Sequence, residues 1–137
     1  MGMRSKVVLS VFAALIICLG LGYAWGAAGR LSIQGTLDDT QQQLDLAEAR
    51  GLILDARVSL YNMNFGDASA RFEDAKVPLK RVRQRYQDER RSDAAAGIDA
   101  ALGHVEEAQR LAGKLDQSAN TRAGEALEAI KVATSKS

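Results

Sequence analysis

The chain has 137 residues, a hydrophobic fraction of 47% and a formal net charge of +1. That length leaves room for one small core beside a membrane segment, and the near-zero net charge excludes recruitment of nucleic acid by a global field. A single proline and an aromatic content of 5% favour helix, so we expect an all-α protein without sheet.

The N-terminal region contains a long apolar segment, Val7–Trp25, with nineteen uncharged residues. As a helix it measures about 28 Å, close to the ~30 Å hydrocarbon thickness of a bilayer. Arg4 and Lys6 precede it and favour a cytoplasmic N-terminus. We therefore expect a cytoplasmic segment at 1–6 and a single-pass signal-anchor helix at 7–28 in a cell inner membrane. The C-terminal domain is then periplasmic or extracellular.

A cleaved signal peptide is the alternative, because Ala24, Gly26 and Ala28 supply small residues for a cleavage site. The apolar core of a signal peptide is usually about 7 to 15 residues, shorter than this segment. Tyr23 and Trp25 also lie where an interfacial aromatic belt is expected. Retention is favoured, and release of a secreted bundle stays open.

Small residues recur at every fourth position of the apolar segment. Such a face allows two membrane helices to approach closely, since lipid provides no hydrophobic drive between them. We predict a helix-packing face whose partner is another membrane-protein helix or a second copy in a homodimer, within the lipid bilayer. Its residues are Ser10, Ala14, Cys18, Gly22 and Gly26.

The rest of the chain is predicted to form an external bundle of about four helices at 37–134, made of two antiparallel hairpins that either form an up-and-down bundle or stack on each other. Gly29 and Gly35 predict a flexible joint at 29–36, and residues 135–137 are expected to fray. Apolar residues at alternating intervals of three and four are predicted to form the buried face of the first external helix. They are Leu44, Ala47, Gly51, Leu54, Val58, Tyr61 and Phe65.

Three further helices follow from the same spacing, and the apolar series predicted for the second is Ala68, Phe72, Ala75, Leu79, Val82 and Tyr86. The second extends to about Arg91, and Pro78 is expected to bend it rather than end it because the periodicity continues. Ser92 is expected to cap the third helix, and a turn at 116–120 precedes the fourth.

One segment, about residues 52–78, resembles a helical hairpin of the tetratricopeptide-repeat family. The likeness rests on the apolar residues Phe65, Ala68, Phe72 and Ala75, with Ala56 at the small-residue position. The resemblance implies packed helical hairpins that bind a peptide or protein. It carries over no particular binding residues.

Charge is segregated along the bundle: Asp38–Asp74 carries a net charge of −5, and Lys76–Arg91 a net charge of +5. One interpretation is a basic surface for anionic lipid or an acidic partner. The favoured one is that an antiparallel hairpin places residues 80–91 beside 39–51, so that the basic block meets Asp39, Asp45 and Glu48. The candidate basic surface consists of Lys80, Arg83, Arg90 and Arg91.

Catalytic chemistry is not indicated by the residue pattern. His104 is the sole histidine and is predicted to be solvated, and the sole cysteine lies in the apolar segment. We predict no enzyme, catalytic residue, metal site, cofactor, nucleic acid or small-molecule substrate. The sequence favours action by protein–protein contact, as a scaffold, assembly factor or accessory subunit of a membrane complex. A periplasmic sensor or ligand-binding bundle is the alternative.

Overall fold

The computed structural model describes the backbone of residues 3–135 and the side chains of residues 10–23 and 35–135. Four helices are present: α1 (Met3–Tyr61), α2 (Phe65–Asp88), α3 (Ser92–Ala112) and α4 (Ala119–Ser135). The chain divides into two compact units, Met1–Thr40 and Gln41–Ser137. The described backbone contains no strand, so the predicted all-α class and helical bundle are confirmed.

The predicted transmembrane helix at 7–28 lies partly outside the described side chains, which omit 7–9 and 24–28. Across the side chains at 10–23 and 35–135, no helix is both long enough and apolar enough to cross a bilayer. The membrane span therefore stays a prediction. Residues 1–6 and the tail residues 136–137 also fall outside the described side chains.

Helix α1 continues through residues 29–36, where the glycine spacing predicts a flexible joint. Thr36 lies inside this helix, and its carbonyl oxygen accepts a hydrogen bond from the Thr40 hydroxyl at 2.8 Å. Each glycine in a helix costs only about 1 kcal/mol relative to alanine. Because the glycines are separated by residues that form helix well, this cost does not end α1.

The second unit is a closed ring of four helices, made by residues 41–61 of α1 with α2, α3 and α4. In each neighbouring pair, rising residue numbers on one helix meet falling numbers on the other, so the pairs are antiparallel. Contacts between α1 and α4 close the two predicted hairpins into an up-and-down bundle. Representative contacts are Asp45–Arg81 at 2.8 Å, Arg83–Asp99 at 3.0 Å, His104–Glu125 at 3.2 Å and Arg57–Asn120 at 2.6 Å.

The core of the bundle is built from small and medium-sized apolar side chains, about half of them alanine. Small residues allow the helix backbones to approach closely, most clearly at Gly97 of α3. A Cβ atom placed on Gly97 would lie 2.6 Å from the Cβ atom of Ala133 on α4. The predicted buried series of α2 is confirmed in full: Ala68, Phe72, Ala75, Leu79, Val82 and Tyr86 are all buried.

The predicted buried face of α1 is wrong. Leu44, Leu54, Val58 and Tyr61 are exposed, whereas Phe65 is buried at the start of α2. The same stretch carries a second apolar series at the same three-and-four spacing, and this second series packs into the bundle. Its residues are Leu46, Ala49, Ile53, Ala56 and Leu60. Spacing alone does not distinguish the inner face from the outer one.

The three turns between helices share one backbone geometry. Met63, Arg90 and Leu115 each have φ near +60°, the left-handed region. The following N–H group in each case bonds to the carbonyl five residues earlier, as in a Schellman motif. The break before α3 falls slightly earlier than predicted, because α2 ends at Asp88 and Arg91 rather than Ser92 is the N-cap of α3. Helix α2 continues through Pro78, as predicted.

Candidate interaction surfaces

The strongest polar cluster joins α1 to α2 around Asp45. The Asp45 carboxylate is only 1% exposed and accepts hydrogen bonds from Arg81 at 2.8 Å and Arg85 at 2.6 Å. Arg81 also contacts Glu48 at 3.1 Å. The predicted meeting of the basic block with the acidic helix is confirmed at these residues. The cluster holds α1 beside α2, and it engages Arg81 and Arg85 of the basic block in contacts within the protein.

Two opposing effects set the pKa of Asp45. Burial raises the pKa of the carboxyl group, because the charged form loses solvation. The hydrogen bonds and charges of Arg81 and Arg85 act more strongly in the other direction, and the pKa ends below its ordinary value. Asp45 is therefore ionised at neutral pH and acts as a structural ion-pair partner.

The candidate basic surface is divided between internal contacts and solvent. Arg83 pairs with Asp99 of α3 at 3.0 Å. Arg91 lies over the ring of Tyr86, 4.4 Å from its centroid, where a cation–π contact forms. Lys80 and Arg90 are exposed, Arg90 at the turn after α2. Binding of lipid or an acidic partner by these residues stays a prediction.

A shallow groove of about 480 Å³ lies between α3 and α4. The His104 side chain in this groove is 35% exposed, and its Nδ1 atom lies 3.2 Å from a Glu125 oxygen. Arg122 contacts the same oxygen at 2.7 Å. His104 and Arg122 of the groove thus both contact Glu125. Among the described residues, no three His, Cys, Asp or Glu side chains are grouped to hold a metal ion.

An exposed apolar stripe runs along α1 and is here called the outer face. Its residues are Leu44, Ala47, Gly51, Leu54, Val58 and Tyr61. Its large side chains are well exposed, Leu44 at 58%, Leu54 at 49%, Val58 at 58% and Tyr61 at 69%. At about 100° per residue, the stripe points away from the core. Sequence reasoning found these residues but assigned them to the core, and the second apolar series on α1 was the signal that one set faces outward.

Charged residues of opposite sign border the outer face. Glu48 and Asp55 lie on the flank towards α2, since Glu48 contacts Arg81. Arg50 and Arg57 lie on the flank towards α4, where they donate to Thr134 at 3.2 Å and Asn120 at 2.6 Å. The stripe is therefore apolar at its centre, acidic along one edge and basic along the other.

The predicted membrane helix-packing face is described at four of its five residues. Ser10, Ala14, Cys18 and Gly22 are exposed, whereas the side-chain position at Gly26 lies outside the described residues. All other residues of 10–23 are exposed as well, so exposure does not single out this face. Its role in helix packing stays a prediction. The large apolar side chains exposed beside it are Val11, Phe12, Leu15, Ile16, Ile17, Leu19, Leu21 and Tyr23.

Comparison with known proteins identifies no relative: no protein-family model, curated protein or solved structure matches the chain. The resemblance of residues 52–78 to a tetratricopeptide repeat thus gains no support from a family model. Repeat stacks of that kind bring each unit into contact with its neighbours only. In this bundle, α1 instead contacts α4 as well as α2, through Arg57 and Asn120.

Proposed function

We propose that this chain is a single-pass membrane-anchored helical bundle that acts by protein–protein contact, as a scaffold, assembly factor or accessory subunit of a membrane complex. The observation that carries the proposal is the exposure of large apolar side chains at 10–23. Contiguous apolar surface of this size marks a membrane or protein contact, because water solvates it poorly. The flanking charges of Arg4 and Lys6 favour an orientation in which the bundle lies outside the cytoplasm.

Contact, rather than binding of a small molecule, is favoured by the surfaces of the bundle. The α3–α4 groove is open, and its polar groups His104 and Arg122 are both engaged with Glu125. The outer face of α1 is instead an extended apolar stripe with charged borders, which is the character of a helix-docking surface. A ligand-binding bundle is the competing function, and a small molecule that raises the melting temperature by several degrees would favour it.

The anchor is tested by charge substitution within the apolar segment. Leu15→Lys with Leu19→Lys should move the protein out of the alkali-resistant membrane fraction, because each lysine near mid-bilayer costs roughly 2.5 to 3.5 kcal/mol. The matched control is Val77→Lys with Val132→Lys, at exposed positions of α2 and α4. An unchanged membrane fraction for the first variant would sink the anchor.

Mass spectrometry of the mature N-terminus separates an anchor from a cleaved signal peptide. Retention predicts an N-terminus at or next to Met1. A terminus near Ala27 or Gly29 would instead leave a secreted bundle and remove the membrane from the function. The membrane helix-packing face is tested by Gly22→Leu with Gly26→Leu, which should weaken association within the membrane.

A further inference from the structure

We propose that the outer face of α1 is a homodimer interface, in which the α1 helices of two copies pack side by side and parallel. The inference deepens the proposed contact function by naming the partner as a second copy of this chain. The inference depends on the proposed function in one respect, namely that the chain acts by protein–protein contact. The bundle geometry and the charges beside the stripe carry the rest.

The first step is the spacing of the outer face. Its residues recur at intervals of three and four over 44–61, which is the a/d pattern of a two-stranded coiled coil. Residues Leu44, Gly51 and Val58 take the a positions, and Ala47, Leu54 and Tyr61 take the d positions. Nothing lies within 4 Å of a Cβ atom placed on Gly51, so the centre of the stripe is open to a partner helix.

The second step is that the bundle does not need these side chains. The inner series of α1, from Leu46 to Leu60, already fills the core side of the helix. When a helix is apolar on two opposite faces, one face packs into its own bundle. The other face stays in contact with water unless a partner covers it. Exposed apolar stripes of this length are unusual on a monomeric surface.

The third step is the charge on the two borders, which selects the partner and its direction. In a parallel pair, the g position of one helix faces the next e position of the other. Arg50 at g then meets Asp55 at e of the second copy. The two-fold symmetry of the dimer forms the same ion pair a second time, from the second copy to the first. Asp55 is exposed and forms no hydrogen bond or ion pair among the described residues, so it is available for this contact. Arg50 bonds Thr134 through one nitrogen and keeps its other donors.

An antiparallel pair places like charges together. There, g faces g and e faces e, so that Arg50 and Arg57 would face arginines and Glu48 and Asp55 would face acids. Such juxtapositions are repulsive. The pattern therefore fits a parallel second copy, which is also the arrangement that two chains anchored in one membrane would adopt.

Disulfide trapping in the full chain tests the interface directly. In a Cys18→Ser background, Ala47→Cys places a thiol at a d position, where the two copies of residue 47 face each other. Ala96→Cys is the matched control, an exposed alanine on α3, the helix diagonal to α1 in the ring. Mild oxidation in membranes should give severalfold more disulfide dimer of twice the chain mass for Ala47→Cys than for Ala96→Cys.

Charge exchange then identifies the partner. Asp55→Arg in the Ala47→Cys chain should reduce the trapped dimer severalfold, because it faces Arg50 of the second copy. Adding Arg50→Glu should restore the dimer. Restoration requires that the partner also carries the exchanged charges, so it identifies the partner as a second copy of the chain. Leu54→Ser with Val58→Ser should also lower trapping while circular dichroism shows an intact bundle, since both side chains are exposed.

Three results would overturn the interface: equal trapping at residues 47 and 96, a cross-link to a chain of different mass, or no effect of Asp55→Arg. Failure of the anchor is separate from failure of the dimer. If the chain proves to be cleaved and secreted, the same cysteine variants are oxidised in the soluble fraction and scored by the same criteria.

Discussion

At the scale of single residues, Asp45 is the most consequential polar side chain of the bundle. Its carboxylate is buried and bonded by Arg81 and Arg85. We expect Asp45→Asn to lower the free energy of unfolding by about 1 to 3 kcal/mol at pH 7, the range for hydrogen bonds to charged groups. Urea unfolding followed by circular dichroism measures the change. Asp74→Asn is the control, because that exposed carboxylate of α2 makes no hydrogen bond or ion pair among the described residues.

The pH dependence of this difference follows from the lowered pKa of Asp45. A folded-state pKa below the unfolded value of about 3.9 stabilises the fold above that pH. The contribution is lost as the pH falls through the folded-state pKa. The stability difference between the wild type and Asp45→Asn should therefore shrink below about pH 4. A difference that stays constant from neutral pH into strong acid would contradict this assignment.

The turn after α3 holds Leu115 in a backbone conformation that is unfavourable for an L-residue. It is exposed and has φ of 58°, a conformation that costs an L-residue about 1 to 2 kcal/mol. Leu115→Gly should therefore stabilise the bundle by about 0.5 to 1 kcal/mol, after the entropy of glycine in the unfolded chain is subtracted. Thermal unfolding of Leu115→Ala serves as the comparison, since alanine keeps the Cβ atom. An equal gain for both variants would show that backbone strain is not the cause.

At the scale of elements, the close approach of α3 and α4 depends on Gly97. A Cβ atom there would lie 2.6 Å from the Cβ atom of Ala133, so the helices must separate. We expect Gly97→Ala to destabilise the bundle by about 1 to 2 kcal/mol, although alanine is the better helix former. Gly103→Ala on the same helix has open space and should be neutral or stabilising by up to about 1 kcal/mol.

A double-mutant cycle checks that the loss comes from this contact. Ala133→Gly removes the opposing Cβ atom, and it should recover much of the stability lost in Gly97→Ala. If the two substitutions are simply additive in urea unfolding, the close approach does not cause the loss.

The elements differ in how well their sequence predicts them. Helix α2 has one apolar series, and its six predicted core residues are all buried. Residues 44–61 of α1 have two such series, so periodicity identified the helix but not which face enters the core. The sequence predicted either an up-and-down bundle or two stacked hairpins. The contact of Arg57 with Asn120 decides for the bundle, and this choice depends on helices distant in sequence. The acidic and basic blocks, by contrast, correctly indicated the pairing of α1 with α2.

At the scale of the whole molecule, the cross-helix contacts described here all lie within Gln41–Ser137. The bundle closes on itself through ion pairs between α1 and α2, α2 and α3, and α3 and α4, through hydrogen bonds between α1 and α4, and through an alanine-rich core. In the proposed function, the N-terminal unit contributes location together with its predicted helix-packing face, while the bundle contributes the outer face of α1. The two roles belong to separate parts of the chain and are testable separately.

Residues 41–137 are accordingly expected to fold without the N-terminal unit. The expected result is a helical circular dichroism spectrum and one cooperative thermal transition, because the closed ring has the compactness of a two-state domain. The midpoint should fall when Asp45→Asn or Gly97→Ala is introduced, by about 4 to 8 °C for each kcal/mol lost. Leu54→Ser with Val58→Ser should leave it nearly unchanged in monomeric protein, since both lie on the outer face. A fragment without a cooperative transition would mean that the bundle needs residues before 41 for its stability. The division of the chain at residue 41 would then not correspond to an independent folding unit.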